Sequence, residues 1–325
     1  MKYSVKAITA LGAGIAVFAS TAAAWEQGDE VRLRMAASQP VHAIYPITAG
    51  IKAIVERELP GVIIDMTVTQ GGVENARLIE VGEVEMANGN TLGAYSIHTG
   101  TFAAEGAEPF EQLVGLMPSY TWEIGTMVPA DSDVETFRDL VGKRIAMGPQ
   151  GSGAEATATQ AITAIGLTDS DFSRVQRSAP AQAFGSLASG QVDAVIWGTA
   201  HPAGAIVEQM ATRGLRFISF TEEDMDAIAA EYPYFHHGWV DPSLYDGIDE
   251  PALWVGGGTH FWTNANVDEE LVYQIVRVVW ENKEELKDRH PSQERLNDDL
   301  VRMQAELLPM HPGAERYFRE IGVID

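Results

Sequence analysis

The chain has 325 residues, 46% of them hydrophobic and 21% charged, the balance of a globular protein with room for two ordinary domains. Its 22 basic residues against 46 acidic ones give a net charge of −24, which argues against a nucleic-acid partner. It holds no cysteine, so disulfides, thiolate nucleophiles and cysteine metal sites are excluded.

The N-terminus reads as an export signal over residues 1–24. Lys2 and Lys6 precede an apolar run from Ala7 to Ala19, and Ala22-Ala23-Ala24 offers a small-residue cleavage site. The run is too short to span a bilayer. The expected mature chain starts near Trp25 and is soluble outside the cytoplasm. Losing the two leader lysines takes its net charge to −26.

Val31 to Ala37 alternates as a first strand and ends in Ser38-Gln39-Pro40-Val41-His42. Ile44, Ile47, Ile51, Ile54 and Val55 then fall at helical spacing, and the helix stops near Leu59-Pro60-Gly61. Val62 to Thr69 is β-branched and runs into Gln70-Gly71-Gly72. Val73 to Val81 reads as a helix ended by Gly82, and Val84 to Ala87 as a third strand opening into Asn88-Gly89-Asn90. Strands alternating with helices imply a parallel sheet whose ligands bind beyond the carboxyl ends of its strands. All three polar loops fall at such ends.

The pattern repeats further on. Asp139-Leu140-Val141-Gly142-Lys143 turns into a strand over Arg144–Met147. The loop Gly148-Pro149-Gln150-Gly151-Ser152-Gly153 and a helix to Ile165 follow. The first N–H groups of that helix have no partner within it and point back at the loop, a ready site for an anion. The loop lacks the Lys-Ser/Thr of a nucleotide P-loop, the third glycine of a dinucleotide fingerprint, and a glycine two residues before Ser152. A loop that only turns the chain fits the same residues. Pro180 to Ser189 reads as a helix, and Val192 to Ile196 as a strand opening into Trp197-Gly198-Thr199-Ala200-His201-Pro202.

Two similar α/β half-chains predict two lobes with a cleft between them. Residues 25–120 plus 262–325 form the expected first lobe and residues 121–261 the second. Hinges are expected near Tyr120-Thr121-Trp122 and in the strand around Trp254 to Phe261. The tail reads as helical, with one core stripe at Leu271, Ile275, Val279 and Leu286 and another at Leu296, Leu300, Met303 and Leu307.

The eight histidines show no helical His-x-x-x-His pair, so no metal site is expected. His42 and His201 follow strand ends, where a structural role outweighs ligand contact. Ser152 has no base partner by spacing, Glu155 suits a helix cap, and Asn75 and Asn90 could bind ligand or simply make turns. Trp197 could cover a ligand or fill the wall between the lobes. The combination reads as a binder without a cofactor and not as an enzyme. An exported hydrolase using Ser152 is the rival of a different class.

Several pieces together resemble one family: Tyr45-Pro46 opening the first helix, Gly71-Gly72-Val73-Glu74-Asn75, Asp139-Leu140-x-Gly-Lys143, Gly151-Ser152-Gly153-x-Glu155, and His311-Pro312-Gly313-Ala314 with Tyr317. The chain is similar to the TAXI solute receptors, extracytoplasmic subunits of tripartite ATP-independent periplasmic (TRAP) transporters. The resemblance spans nearly the whole mature chain. It implies a two-lobed periplasmic binding-protein fold, a monomer that closes on glutamate, 2-oxoglutarate or a related carboxylate, and delivery to an ion-driven membrane permease. A receptor for an ATP-driven importer would share that fold. By position the ligand residues would be Ser38, Gln39, His42, Tyr45, Gly71, Gly72, Val73, Asn75, Asn88 and Asn90 in one lobe. In the other they would be Gln150, Gly151, Ser152, Gly153, Ala154, Glu155, Trp197, Gly198 and Thr199. Gly72 and Ala154 stand where the family carries hydroxyl residues, and Arg77 and Arg144 are the cations nearest these loops in sequence.

Overall fold

A computed structural model describes residues 25–40, 42–69, 71–101, 108–150 and 152–325. The leader and Gly151 of the glycine loop lie outside them. β1 (Val31–Ala36) pairs in parallel with β2 (Val62–Thr67) on one side and β3 (Met86–Asn90) on the other. α1 (Ile44–Glu58) and α2 (Gly72–Glu80) make the connections. The helical spacing of α1 is real packing: Ile47, Ile51, Ile54 and Val55 are all buried. In the second half β5 (Arg144–Met147) pairs in parallel with β6 (Arg174–Arg177) and β7 (Ala194–Thr199), connected by α4 (Gly153–Ala164) and α5 (Pro180–Ala188).

Both halves belong to one curled sheet of order β2-β1-β3-β10-β4-β7-β5-β6. Its centre is two long antiparallel strands, β4 (Leu113–Pro129) and β10 (Ala252–Asn264). β10 pairs with β9 (Phe235–Val240) through Gly257 and with β3 from Thr259 onward. β4 meets β7 and β8 (Leu215–Ile218) only from Glu123. Each long strand thus passes from one parallel group to the other, and the register slips between Thr259 and His260 and again between Phe261 and Trp262. The segments read as hinges lie inside these strands. The fold is the two-lobed α/β binding-protein type.

Sequence reading passed over β4 as a strand and over α3 (Thr91–Thr99) as a helix. It also ended two strands early. Asn88-Gly89-Asn90 and Trp197-Gly198-Thr199, expected as loops, are the last residues of β3 and β7 because β10 and β4 pair with them. In the tail, α8 (Glu269–Glu281) buries Leu271, Ile275 and Val279 as read. α9 (Asp298–Leu307) is rotated from the expected stripe: it buries Val301 and Gln304, while Leu300, Met303 and Leu307 stay partly exposed. Gln304 lies on Gly115 of β4, where a Cβ would sit 2.3 Å from its Nε2. α10 (Pro312–Glu320) is capped by His311, whose side chain accepts from Gly313 N. A Cβ on Gly313 would lie 2.2 Å from Glu269 O, so glycine there lets α10 close on α8.

The two central strands meet through glycine–tryptophan pairs. Gly257 faces Trp122 across the β4–β10 ladder, and the Trp254 ring lies on Gly125 just beyond its end. A Cβ would lie 2.0 Å from the Trp254 ring at Gly125, and 2.2 Å from the Trp122 ring at Gly257. Each indole therefore lies on bare backbone, and Trp254 Nε1 is held by Ile218 O at 3.0 Å. Gly125→Ala is expected to destabilise the fold by roughly 1–3 kcal/mol through overpacking, read as a shifted urea midpoint.

Candidate functional site

Three helices begin where the two halves meet, and all three point at Asn90. The Asn90 side chain caps α3, its Oδ1 accepting from Gly93 N at 3.2 Å. A Cβ on Gly72, the first residue of α2, would lie 3.0 Å from that same Oδ1. From the second half a Cβ on Gly153, the first residue of α4, would lie 2.9 Å from Asn90 Nδ2. Gly71 and Gly72 take φ of 83° and 46°, a left-handed turn that only glycine enters at little cost. Ser38, buried after β1, stands behind it, with a Cβ on Gly71 falling 3.3 Å from Ser38 Cβ. Helix N-termini carry partial positive charge and free N–H groups, so this convergence suits an anionic group.

Of the residues read as ligand contacts, Ser38, Gly71, Gly72, Asn90, Ser152 and Gly153 thus belong to one locality. Gln39 Nε2 reaches Thr69 O at 3.3 Å, and His42, Val73 and Gln150 are exposed at the rim. Tyr45 packs against the core, and Ala154 is half-buried in the first turn of α4. Asn75 is spent within the protein: fully buried, it donates to Ala37 O at 2.5 Å and Asn88 O at 2.6 Å, and accepts from Thr69 Oγ1. Asn88 turns inward, donating to Thr48 Oγ1 and Ser119 Oγ. Trp197 lies edge-on to Phe184 at 5.6 Å, Gly198 packs on Ile124, and Thr199 Oγ1 reaches Ala200 O, all three being half-buried.

Ser152 is the N-cap of α4, its Oγ accepting from Glu155 N at 3.2 Å. Among the described residues its hydroxyl hydrogen meets no acceptor. Ser152→Ala is therefore expected to lower stability by about 0.5–2 kcal/mol in urea unfolding, whatever it does to binding. Glu155 serves α4 as an acidic first-turn residue, and its carboxylate pairs with Arg177 Nε.

That pair corrects the sequence view of nearby cations. Arg144 sits at the far end of β5, bound to Asp193 at 2.5 Å, and Arg77 is exposed on α2. Arg177, at the carboxyl end of β6, reaches the first turn of α4, and its Nη2 also meets Asp169 at 2.6 Å. It lies 22 residues downstream of Glu155 in a short polar strand, where no local signal marked it.

His201 is structural. It is buried, its Nδ1 lies 2.6 Å from Tyr245 Oη, and burial pushes its pKa down to about 3. The adjacent His236 and His237 diverge: His237 faces Glu222 and Asp226 at the surface, while burial lowers His236 to about 4. Among the described residues no His, Asp and Glu cluster could hold a metal, and no helix is long and apolar enough to cross a membrane.

Comparison with known proteins adds a family and a fold. The family model described as NMT1-like matches residues 35–322. A TctC solute-binding protein from Polaromonas, solved with no ligand, superposes with a TM-score of 0.54 at 14% identity. That match covers 88% of this chain and 98% of that one. XAC2383 from Xanthomonas citri, bound to ATP, gives 0.52 at 9% identity, covering 89% and 99%.

Proposed function

The chain belongs to the NMT1-like family, and on that premise we propose that it is an exported receptor that binds a small carboxylate between its lobes and delivers it to a TRAP-type permease. The observation that carries this reading is the meeting of three helix starts, those of α2, α3 and α4, on Asn90. A carboxylate seated there would accept from backbone N–H groups of both lobes at once, so binding would favour the closed form. Arg177, neutralised by Glu155 and Asp169, adds charge balance and not a bare cation, which suits a ligand held by neutral donors.

The lobe division, 25–120 plus 262–325 against 121–261, is part of the proposal. It rests on the passage of β4 and β10 between the two parallel groups. So are the cleaved leader, the periplasmic location and the monomeric state. In this reading the site works by binding alone, and Ser152 Oγ serves as the acceptor for Glu155 N.

A thermal-shift screen of dicarboxylates, 2-oxo acids and amino acids tests the reading, since ligand at 100 times its Kd stabilises by about 2.7 kcal/mol. At least one small carboxylate should raise the melting temperature by several degrees, and matched esters should remain unhydrolysed. Ester turnover, or stabilisation only by uncharged solutes, would overturn it.

A further inference from the structure

Directly beneath Asn90 lies a buried histidine that the sequence did not single out. His260, on β10, is 1% exposed. Its Nδ1 lies 3.2 Å from Thr91 Oγ1, and Thr91 is the first residue of α3. Thr91 Oγ1 also lies 2.9 Å from Gly258 O, to which it donates. A hydroxyl has one hydrogen, and the contact to Gly258 O is the shorter of the two that Thr91 makes here. With the Thr91 hydrogen on Gly258 O, His260 Nδ1 would carry the ring hydrogen and donate to Thr91, leaving Nε2, which has no partner among the described residues, as a bare lone pair. Burial lowers the ring pKa to about 3, which keeps it neutral.

Gly258 O receives a second donor, Trp122 Nε1, at 3.2 Å. One carbonyl on β10 thus joins α3 to β4, the two strands being those that run through both lobes. Only glycine fits at 258: a Cβ would lie 2.6 Å from His260 Nε2 and 3.0 Å from Thr91 Oγ1.

We propose that His260 is a positioning residue of the solute site: its Nδ1–H turns the Thr91 hydroxyl onto Gly258 O and so fixes the start of α3 against the strands that hinge the lobes. The inference rests on reading the cleft at Asn90 as that site. Pull exerted by a solute on the first turn of α3 is then passed to β4 and β10 through hydrogen bonds and not through loose packing. His260 governs how well the Asn90 cap is placed when the lobes meet.

The test uses two near-isosteric variants of the mature chain. In His260→Asn the amide nitrogen falls where Nδ1 was and keeps the donor; in His260→Gln it falls near Nε2 and loses it. Hydrogen exchange is read without ligand at the amides of residues 93–96, and titration calorimetry uses 2-oxoglutarate as probe. His260→Gln should speed exchange at these amides at least tenfold, leave α8 unchanged, and weaken 2-oxoglutarate about tenfold. His260→Asn should return both to within threefold of wild type. Thr91→Val, which keeps the ring in place, should reproduce the faster exchange. Nitrogen NMR of the wild-type ring should show Nδ1 protonated and Nε2 bare. Unchanged exchange in His260→Gln and Thr91→Val, equal effects of Asn and Gln, or a protonated Nε2 would each overturn the proposal. Failure of wild type to bind any carboxylate would instead remove the solute reading, and the exchange pattern would still decide the role of His260.

Discussion

Gly153→Val should abolish solute binding and leave the fold standing. Gly153 opens α4 on one side of the cleft, and even a single Cβ there would lie 2.9 Å from Asn90 Nδ2 on the other. Valine adds two further methyl groups on a stiff, branched carbon, so the lobes cannot approach to the separation seen here. The backbone itself accepts the change. Gly153 is not among the glycines with positive φ, and valine in a first helical turn costs well under about 1 kcal/mol. The expected result is at least a 100-fold loss of affinity, roughly 2.8 kcal/mol, with a melting temperature within a few degrees of wild type. Titration calorimetry beside a melting curve reads both. Wild-type affinity in this variant would mean that closure at Gly153 and Asn90 is not how the solute is held.

The second large effect is on stability and changes with pH. Glu123, on β4, has a side chain 1% exposed, and its Oε1 accepts from Arg295 Nη2 at 2.6 Å. Arg295 comes from the 3-10 turn Pro291–Arg295 and is itself 44% exposed, so one partner is buried and the other half in water. Burial pushes the Glu123 pKa above the usual carboxylate value, and Arg295 pulls it part of the way back. Arg295→Ala leaves a buried carboxylate without its cation. The expected loss is about 2–4 kcal/mol near neutral pH, less than a fully enclosed pair would show because Arg295 is hydrated.

The sign follows from the raised pKa. Folded Glu123 holds its proton to higher pH than the unfolded chain does, so stability falls as pH rises through the folded pKa and is recovered below the unfolded one. Without Arg295 the folded pKa moves higher still. The gap between Arg295→Ala and wild type should therefore widen with rising pH and close on acidification, read from urea unfolding at a series of pH values. Adding Glu123→Gln to Arg295→Ala should restore most of the loss at high pH. A gap independent of pH would show that Arg295 acts by packing alone.

Much of the architecture was legible because local chemistry and tertiary structure agree. The apolar spacing from Ile44 to Val55, the glycine stop at Gly82 and the glycine loop before α4 each encode an element within a few residues. The same glycines placed the ligand ends of the strands, so Gly72, Asn90 and Gly153 were named before their approach was visible. What stayed hidden depends on partners distant in the chain. β4 and β10 are buried on both faces, so their side chains do not alternate in polarity, and their Gly–Trp pairs appear only when the ladder is assembled. Asn75 looked like a ligand amide because nothing local shows the Ala37 and Asn88 carbonyls that occupy it. Arg177 and His260 meet Glu155 and Thr91 from strands with no motif of their own. Asn90 followed by Thr91-Leu92-Gly93 does carry a helix-start signature, and that signal would have located α3.

Small-angle scattering of the mature chain across a panel of small carboxylates tests the central claim most directly. The account predicts that those carboxylates which stabilise the protein also reduce its radius of gyration, and that Gly153→Val removes the reduction. A carboxylate that binds and saturates the wild-type protein without changing its radius of gyration from the ligand-free value would contradict closure of the lobes on a solute.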